Sequence, residues 1–128
     1  MKPISLEHAL WRDERGWGIN PFKIAGLDGK PVYDFHTVSI EPGMIRGNHY
    51  HVGATEWLLI FGGTALLAWT MNTDQAAEQI RLQSDEPMLF EFPPGVAHAV
   101  KNISSHTIYL LSFSNSPDRE TIRIPSII

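Results

Sequence analysis

A chain of 128 residues that is 43% hydrophobic can bury one sizeable core, and dividing it would leave pieces too small to do so. Its net charge of −4, with six basic and six acidic residues in 1–50 and four and eight in 51–128, offers no basic stripe and argues against nucleic-acid binding. It contains no cysteine, so disulfides and thiolate ligands are excluded and any metal must be held by nitrogen and oxygen.

The first fifteen residues carry Lys2, Glu7, Arg12, Asp13 and Glu14 and lack the apolar centre of a signal peptide. The longest uncharged stretch, Trp57 to Thr73, is broken at Gly62-Gly63 and is too short for a bilayer span. Both point to a cytoplasmic protein with no membrane partner. Ser5 to Leu10 suits one helical turn within an N-terminal arm of about 1–31. Strand-length runs rich in β-branched, leucine or aromatic residues follow at 32–40, 56–61, 64–71, 78–83, 88–92, 98–103 and 107–114. Between them lie turn-like segments: DGKP, EPGMIRG (41–47), GG, NTDQ (72–75), SDEP (84–87), PPG (93–95) and SSH. Seven strands at this spacing predict an all-β, antiparallel sandwich or barrel over about 32–115. Residues 116–128 read as an edge strand or a swapped arm. The ending IPSII needs cover, either by folding back or from a second copy, and a homodimer is expected.

The chemistry concentrates in Gly43 to Gly63 and in 93–102. His49 and His51 are two apart, so on an extended strand both imidazoles point to one face. Glu56 follows a short turn and starts the next strand, and His98 comes just after Pro93-Pro94-Gly95. Three imidazoles and a carboxylate suit a divalent transition metal, such as zinc, iron, manganese, nickel or copper, better than calcium or magnesium. Such a set leaves positions open for water or a small-molecule ligand.

These residues are similar to the two sequence motifs of the cupins. Gly43, His49, His51, Glu56 and Gly63 match the first motif. Pro93, Gly95, His98 and Asn102 match the second, with Pro87 standing where that motif has glycine. The resemblance implies an antiparallel double-stranded β-helix, the cupin jelly-roll barrel, with one metal held by His49, His51, Glu56 and His98. IRGNHYH (45–51) and WRDERGWG (11–18) further resemble nucleotide-sugar cupins such as the dTDP-4-dehydrorhamnose 3,5-epimerases. RGNHYH with the following Thr55-Glu56, and more faintly SFSNSPD (112–118), is similar to the cupin domain of capsular-polysaccharide epimerase/reductases, where a metal is implied.

Proton abstraction beside a keto group, the chemistry of such relatives, needs a base and a group to stabilise the enolate oxygen. By resemblance His49 matches the base and Arg46 an arginine near substrate. His49 cannot readily be both ligand and base, and no lysine answers the one those metal-free epimerases carry downstream, so a Lewis-acid metal could take its part. Glu56 and His49 are therefore the catalytic candidates, and Arg46, Tyr109 and His36 the substrate-binding ones. Trp57, Trp69, Phe61, Phe90, Phe92 and Phe113 read as core aromatics, and Tyr50 as outer-face packing. The scaffold admits three readings: a metal-dependent sugar-nucleotide epimerase or isomerase, an iron-dependent dioxygenase of a small organic substrate, and a non-catalytic ligand-binding module.

Overall fold

The computed structural model describes residues 1–24, 26–71, 73–83, 86–118 and 120–128. Asn72, Ser84 and Asp85, expected in turns, and Arg119, in the expected C-terminal arm, lie outside the described residues. The strands are β1 (Leu10–Asp13), β2 (Gly16–Ile19), β3 (Tyr33–Ile40), β4 (Ile45–His51), β5 (Glu56–Phe61), β6 (Ala65–Thr70), β7 (Glu78–Leu82), β8 (Met88–Phe92), β9 (Ala97–Asn102), β10 (Ile108–Ser114) and β11 (Thr121–Arg123). All pairings among them are antiparallel. A hairpin, β1-β2, stands apart from a four-stranded sheet, β3-β10-β5-β8, and a five-stranded sheet, β11-β4-β9-β6-β7.

The side-chain period of two sorts these sheets into two cores. Leu58 and Ile60 of β5, Phe90 and Phe92 of β8, and Ile108 and Leu110 of β10 face the five-stranded sheet. There they meet Leu67 and Trp69 of β6 and Val100 of β9. The intervening Trp57, Leu59, Leu89 and Phe113 point the other way and pack against Ala9, Ile24 and Leu27 of the N-terminal segment. β5 is thus covered on both faces, which is why EWLLIF is a nearly unbroken apolar run.

One sequence expectation changes at the start of a strand. The run EPGMIRG turns only over Glu41 to Met44, where Met44 N–H donates to the Glu41 carbonyl at 3.0 Å, and from Ile45 it is already β4. The segment WRDERGWG folds as β1-β2, its turn closed by the Arg15 N–H on the Asp13 carboxylate at 2.8 Å, and it does not line the cup. Ser5 to Leu10 does contain a turn, with both the Ala9 and Leu10 N–H groups on the Leu6 carbonyl.

The C-terminal segment folds back onto its own chain, with β11 pairing with β4 as the edge of the five-stranded sheet. Ile124 N–H donates to the Asn48 carbonyl at 2.9 Å, and Ile127 N–H to the Asn48 side-chain oxygen at 2.9 Å. No helix among the described residues is long and apolar enough to cross a membrane.

Candidate metal centre

The site is assembled from both sheets. His49 and His51 come from β4, His98 from β9 and Glu56 from the first position of β5, across the cup. One donor atom from each lies within 4.8 Å of every other. His51 Nε2 is 3.0 Å from Glu56 Oε2, and His98 Nε2 is 2.9 Å from Glu56 Oε1. The His49 ring lies 5.1 Å from those of both His51 and His98, centroid to centroid.

A β-bulge makes the β4 face possible. Gly47 pairs with Ala99 and His49 with His98, so Asn48 is an extra residue on β4. By period two, Arg46 and His49 would face opposite sides of the sheet; the bulge shifts the phase, and both line the cup. Gly47 has φ of +102°, and a Cβ there would lie 2.6 Å from the His98 carbonyl oxygen. Only glycine allows this approach. Asn48, at φ of +57°, is one of the residue types that tolerate the left-handed region.

Neighbouring groups orient the donors. His98 Nδ1 donates to the Val96 carbonyl at 3.1 Å, and its ring stacks on Phe92 with centroids 4.1 Å apart. His51 Nδ1 lies 3.0 Å from the Thr121 hydroxyl. These bonds aim both Nε2 atoms inward, as outer partners of ligating histidines do.

The donor set fits a cation. A carbonyl can only accept, so His98 Nδ1 carries a proton; its Nε2 then faces an acceptor-only carboxylate. Unless a second proton makes the ring an imidazolium, that arrangement calls for a positive ion between them. Without a metal, burial raises the pKa of the Glu56 carboxyl, but hydrogen bonds and charge from protonated His51 and His98 outweigh it and hold the pKa well below the usual carboxylate range. The carboxylate is therefore ionised and ready to ligate.

Above the donors is a cavity of about 330 Å3. Its walls include Val38, Ile45, Leu58, Val100 and Leu110, and its polar lining adds His36, Arg46, Ser112 and Arg123. Arg46 Nε donates to the Ser39 carbonyl at 2.8 Å, which holds the guanidinium at the cup rather than on Glu41 or Glu91. His36 also lines the cavity, its Nδ1 donating to the Asp34 carbonyl at 2.7 Å.

Tyr109 does not belong to this lining. It is out of phase with Leu110 and Ser112 on β10, is 42% exposed, and stacks on Phe61 on the outer side, with centroids 5.7 Å apart. Arg123 escaped the sequence reading. It lines the cup because β11 pairs with β4, placing Thr121 opposite His51 and Arg123 opposite His49. The alternation in Thr121-Ile122-Arg123 hints at a strand but does not reveal its neighbour.

The motif residues divide by role. Gly63 is close-packed, since a Cβ there would lie 2.6 Å from Ser104 Oγ. Asn102 is fully buried; its amide donates to the Ile40 and His106 carbonyls at 2.8 and 2.6 Å, and its oxygen accepts from Ser104. It ties the end of β9 to the end of β3 and takes no part in the donor cluster.

Two facing antiparallel sheets with a His3Glu cluster inside the cup define a cupin. The chain belongs to the polysaccharide biosynthesis C-terminal domain family, whose model matches residues 12–120. It is 28% identical over 118 residues to UDP-2-acetamido-2,6-beta-L-arabino-hexul-4-ose reductase of Pseudomonas aeruginosa, a match covering 91% of this chain and 30% of the reductase. In fold it is similar to the capsular polysaccharide assembling protein CapF of Staphylococcus aureus, with a TM-score of 0.65 and 18% identity, over 91% of this chain and 34% of CapF. An oxalate oxidase shares the fold with a TM-score of 0.60 and 22% identity, over 73% of this chain and 46% of the oxidase. The chain thus spans about a third of the length of the reductase and of CapF.

Proposed function

We propose that this cupin binds one divalent transition metal through His49, His51, Glu56 and His98 and acts on a nucleotide-linked keto sugar as an epimerase or isomerase. The carrying observation is a four-donor cluster at the floor of a small cup that has two arginines in its lining. The family match and the relative's name, which describes a UDP-linked 4-keto sugar, support this substrate class.

The cavity of about 330 Å3 is at the lower end of the ~300–1,000 Å3 range of small-molecule sites, which suits one sugar ring. The nucleotide then lies at the mouth, where Arg46 and Arg123 attract its diphosphate despite the net charge of −4. The apolar walls exclude water and favour a deoxygenated carbon of the sugar. A bound metal supplies Lewis-acid stabilisation of negative charge on the keto oxygen. Glu56, fixed between two imidazoles, serves as a ligand rather than as a mobile acid. We further propose a cytoplasmic homodimer, which light scattering of the purified protein tests.

The direct experiment incubates metal-loaded protein with a UDP-linked 2-acetamido-2,6-dideoxy-4-ketohexose in heavy water. Deuterium gained beside the keto carbon supports the reading. Absence of exchange, combined with oxygen uptake on addition of ferrous iron and a small organic acid or phenol, would favour the dioxygenase reading instead. Tight binding without turnover of either kind would favour a non-catalytic module.

A further inference from the structure

We infer that His36 is the proton acceptor of this site and that Ser112 donates a hydrogen bond to the ligand's carbonyl oxygen beside it; this rests on the keto-sugar reading. His49, the acceptor suggested by resemblance, is one of the four clustered donors and cannot also hold a proton from substrate. A different imidazole facing the same cavity is needed, and His36 is one.

His36 and Ser112 are direct cross-strand partners on β3 and β10, and the row continues to Leu58 on β5. Both line the cup. Directly opposed residues on one sheet face have Cβ atoms roughly 5 Å apart. That neighbourhood matches the ligand chemistry, because the acidic C–H of a ketone and its carbonyl oxygen are on adjacent carbons and need an acceptor and a donor side by side.

Each residue is prepared for its part. The Asp34 carbonyl can only accept, so it fixes the proton of His36 on Nδ1 and leaves Nε2 as an acceptor in the neutral ring. The side chain is 41% exposed, open to exchange its proton with water. Ser112 is 3% exposed, and its hydroxyl is buried with no hydrogen-bond partner among the described residues. A buried hydroxyl left unpaired carries a desolvation penalty that a ligand oxygen would relieve.

The backbone next to His36 is also unusual. Between the Ser112–His36 and Ser114–Tyr33 pairs β3 has one residue more than β10, and Asp34 within that bulge has φ of +52°. A bulge re-aims the side chains beside it.

The step balances without a further reactant. The C–H bond beside the ketone breaks, and its proton goes to His36 Nε2. The released electron pair forms the carbon–carbon double bond, and the carbonyl pair moves to the oxygen, which accepts from the Ser112 hydroxyl. Protonated His36 exchanges that proton with water and returns one from Nε2 to the carbon, whose double-bond pair forms the new C–H bond as the carbonyl is restored.

The test uses the zinc-loaded chain of residues 1–128, the UDP-linked 2-acetamido-2,6-dideoxy-4-ketohexose and heavy water. His36→Gln is expected to lower deuterium uptake at least ~100-fold with the zinc stoichiometry unchanged, in line with the loss of a general base. Added imidazole is expected to restore uptake to His36→Ala, which a merely structural role of the ring does not produce. Ser112→Ala is expected to lower uptake about 100-fold, as loss of an oxyanion donor does. Wild-type exchange together with undiminished exchange in His36→Gln would overturn the inference and leave the keto-sugar reading standing. No exchange by the loaded wild-type protein would overturn both.

Discussion

The Thr121 hydroxyl lies 3.0 Å from Nδ1 of His51, joining the last strand of the chain to the donor cluster. Thr121 and His51 are also partners in the β11–β4 register, so strand pairing and ligand orientation are one structural event. Replacing Thr121 with valine keeps the shape and removes the bond. Losing such an outer partner typically weakens metal binding about 10- to 100-fold. Competition with a chelator of known affinity is expected to show a loss in that range, with the circular dichroism spectrum unchanged.

Gly47→Ala tests the bulge. A Cβ at φ of +102°, 2.6 Å from the His98 carbonyl oxygen and 2.9 Å from Ala99 Cα, must displace backbone. A strained left-handed residue alone costs of order 1–3 kcal/mol, and the clash adds to that. The expected outcome is a lowered melting temperature together with weaker metal binding, because β4 and β9 carry three of the four donors. A fall in melting temperature with intact metal affinity would separate the bulge from the site.

Asn102→Ala separates framework from ligands. It leaves the Ile40 carbonyl without its amide partner, at about 1–3 kcal/mol for a buried group left unsatisfied, while the His106 carbonyl keeps the Ser104 hydroxyl at 3.0 Å. Denaturant unfolding is expected to show that loss, while the folded variant still takes up one metal per chain. Tyr109→Phe, at a side chain pointing away from the cup, is expected to leave metal uptake and deuterium exchange unchanged.

Acid has a defined direction of effect. With metal bound, protons compete for the imidazoles, so acid lowers metal retention. In the metal-free protein, the depressed Glu56 pKa contributes stability that is complete above its usual value of 4.5 and is lost progressively as pH falls below it. Glu56→Gln lacks that contribution. Denaturation midpoints between pH 3 and 7, a test range of roughly the carboxylate-to-neutral window, are expected to slope more steeply for the metal-free wild type than for the variant.

The donors were legible because their geometry is local. Two histidines two residues apart share a strand face whatever the fold, and Glu56 begins the next strand, so the motif spacing already brings them close. Likewise the apolar runs EWLLIF and TALLAWTM announce β5 and β6. What escaped depends on partners distant in sequence or on a broken period. Arg46 was a candidate by resemblance alone, since the period of two sets it opposite in phase to His49 until the extra residue at Asn48 is seen, and Arg123 has no site until β11 lies along β4. Tyr109 lies on a strand that lines the cup, but through the alternate residues Leu110 and Ser112.

Metal titration of chelator-stripped protein tests the central claim most directly. Saturation at one zinc or equivalent transition-metal ion per chain is expected for the wild type, with His51→Ala and His98→Ala each losing most of the affinity. Wild-type protein that takes up none, or variants that bind as tightly as the parent, would contradict it.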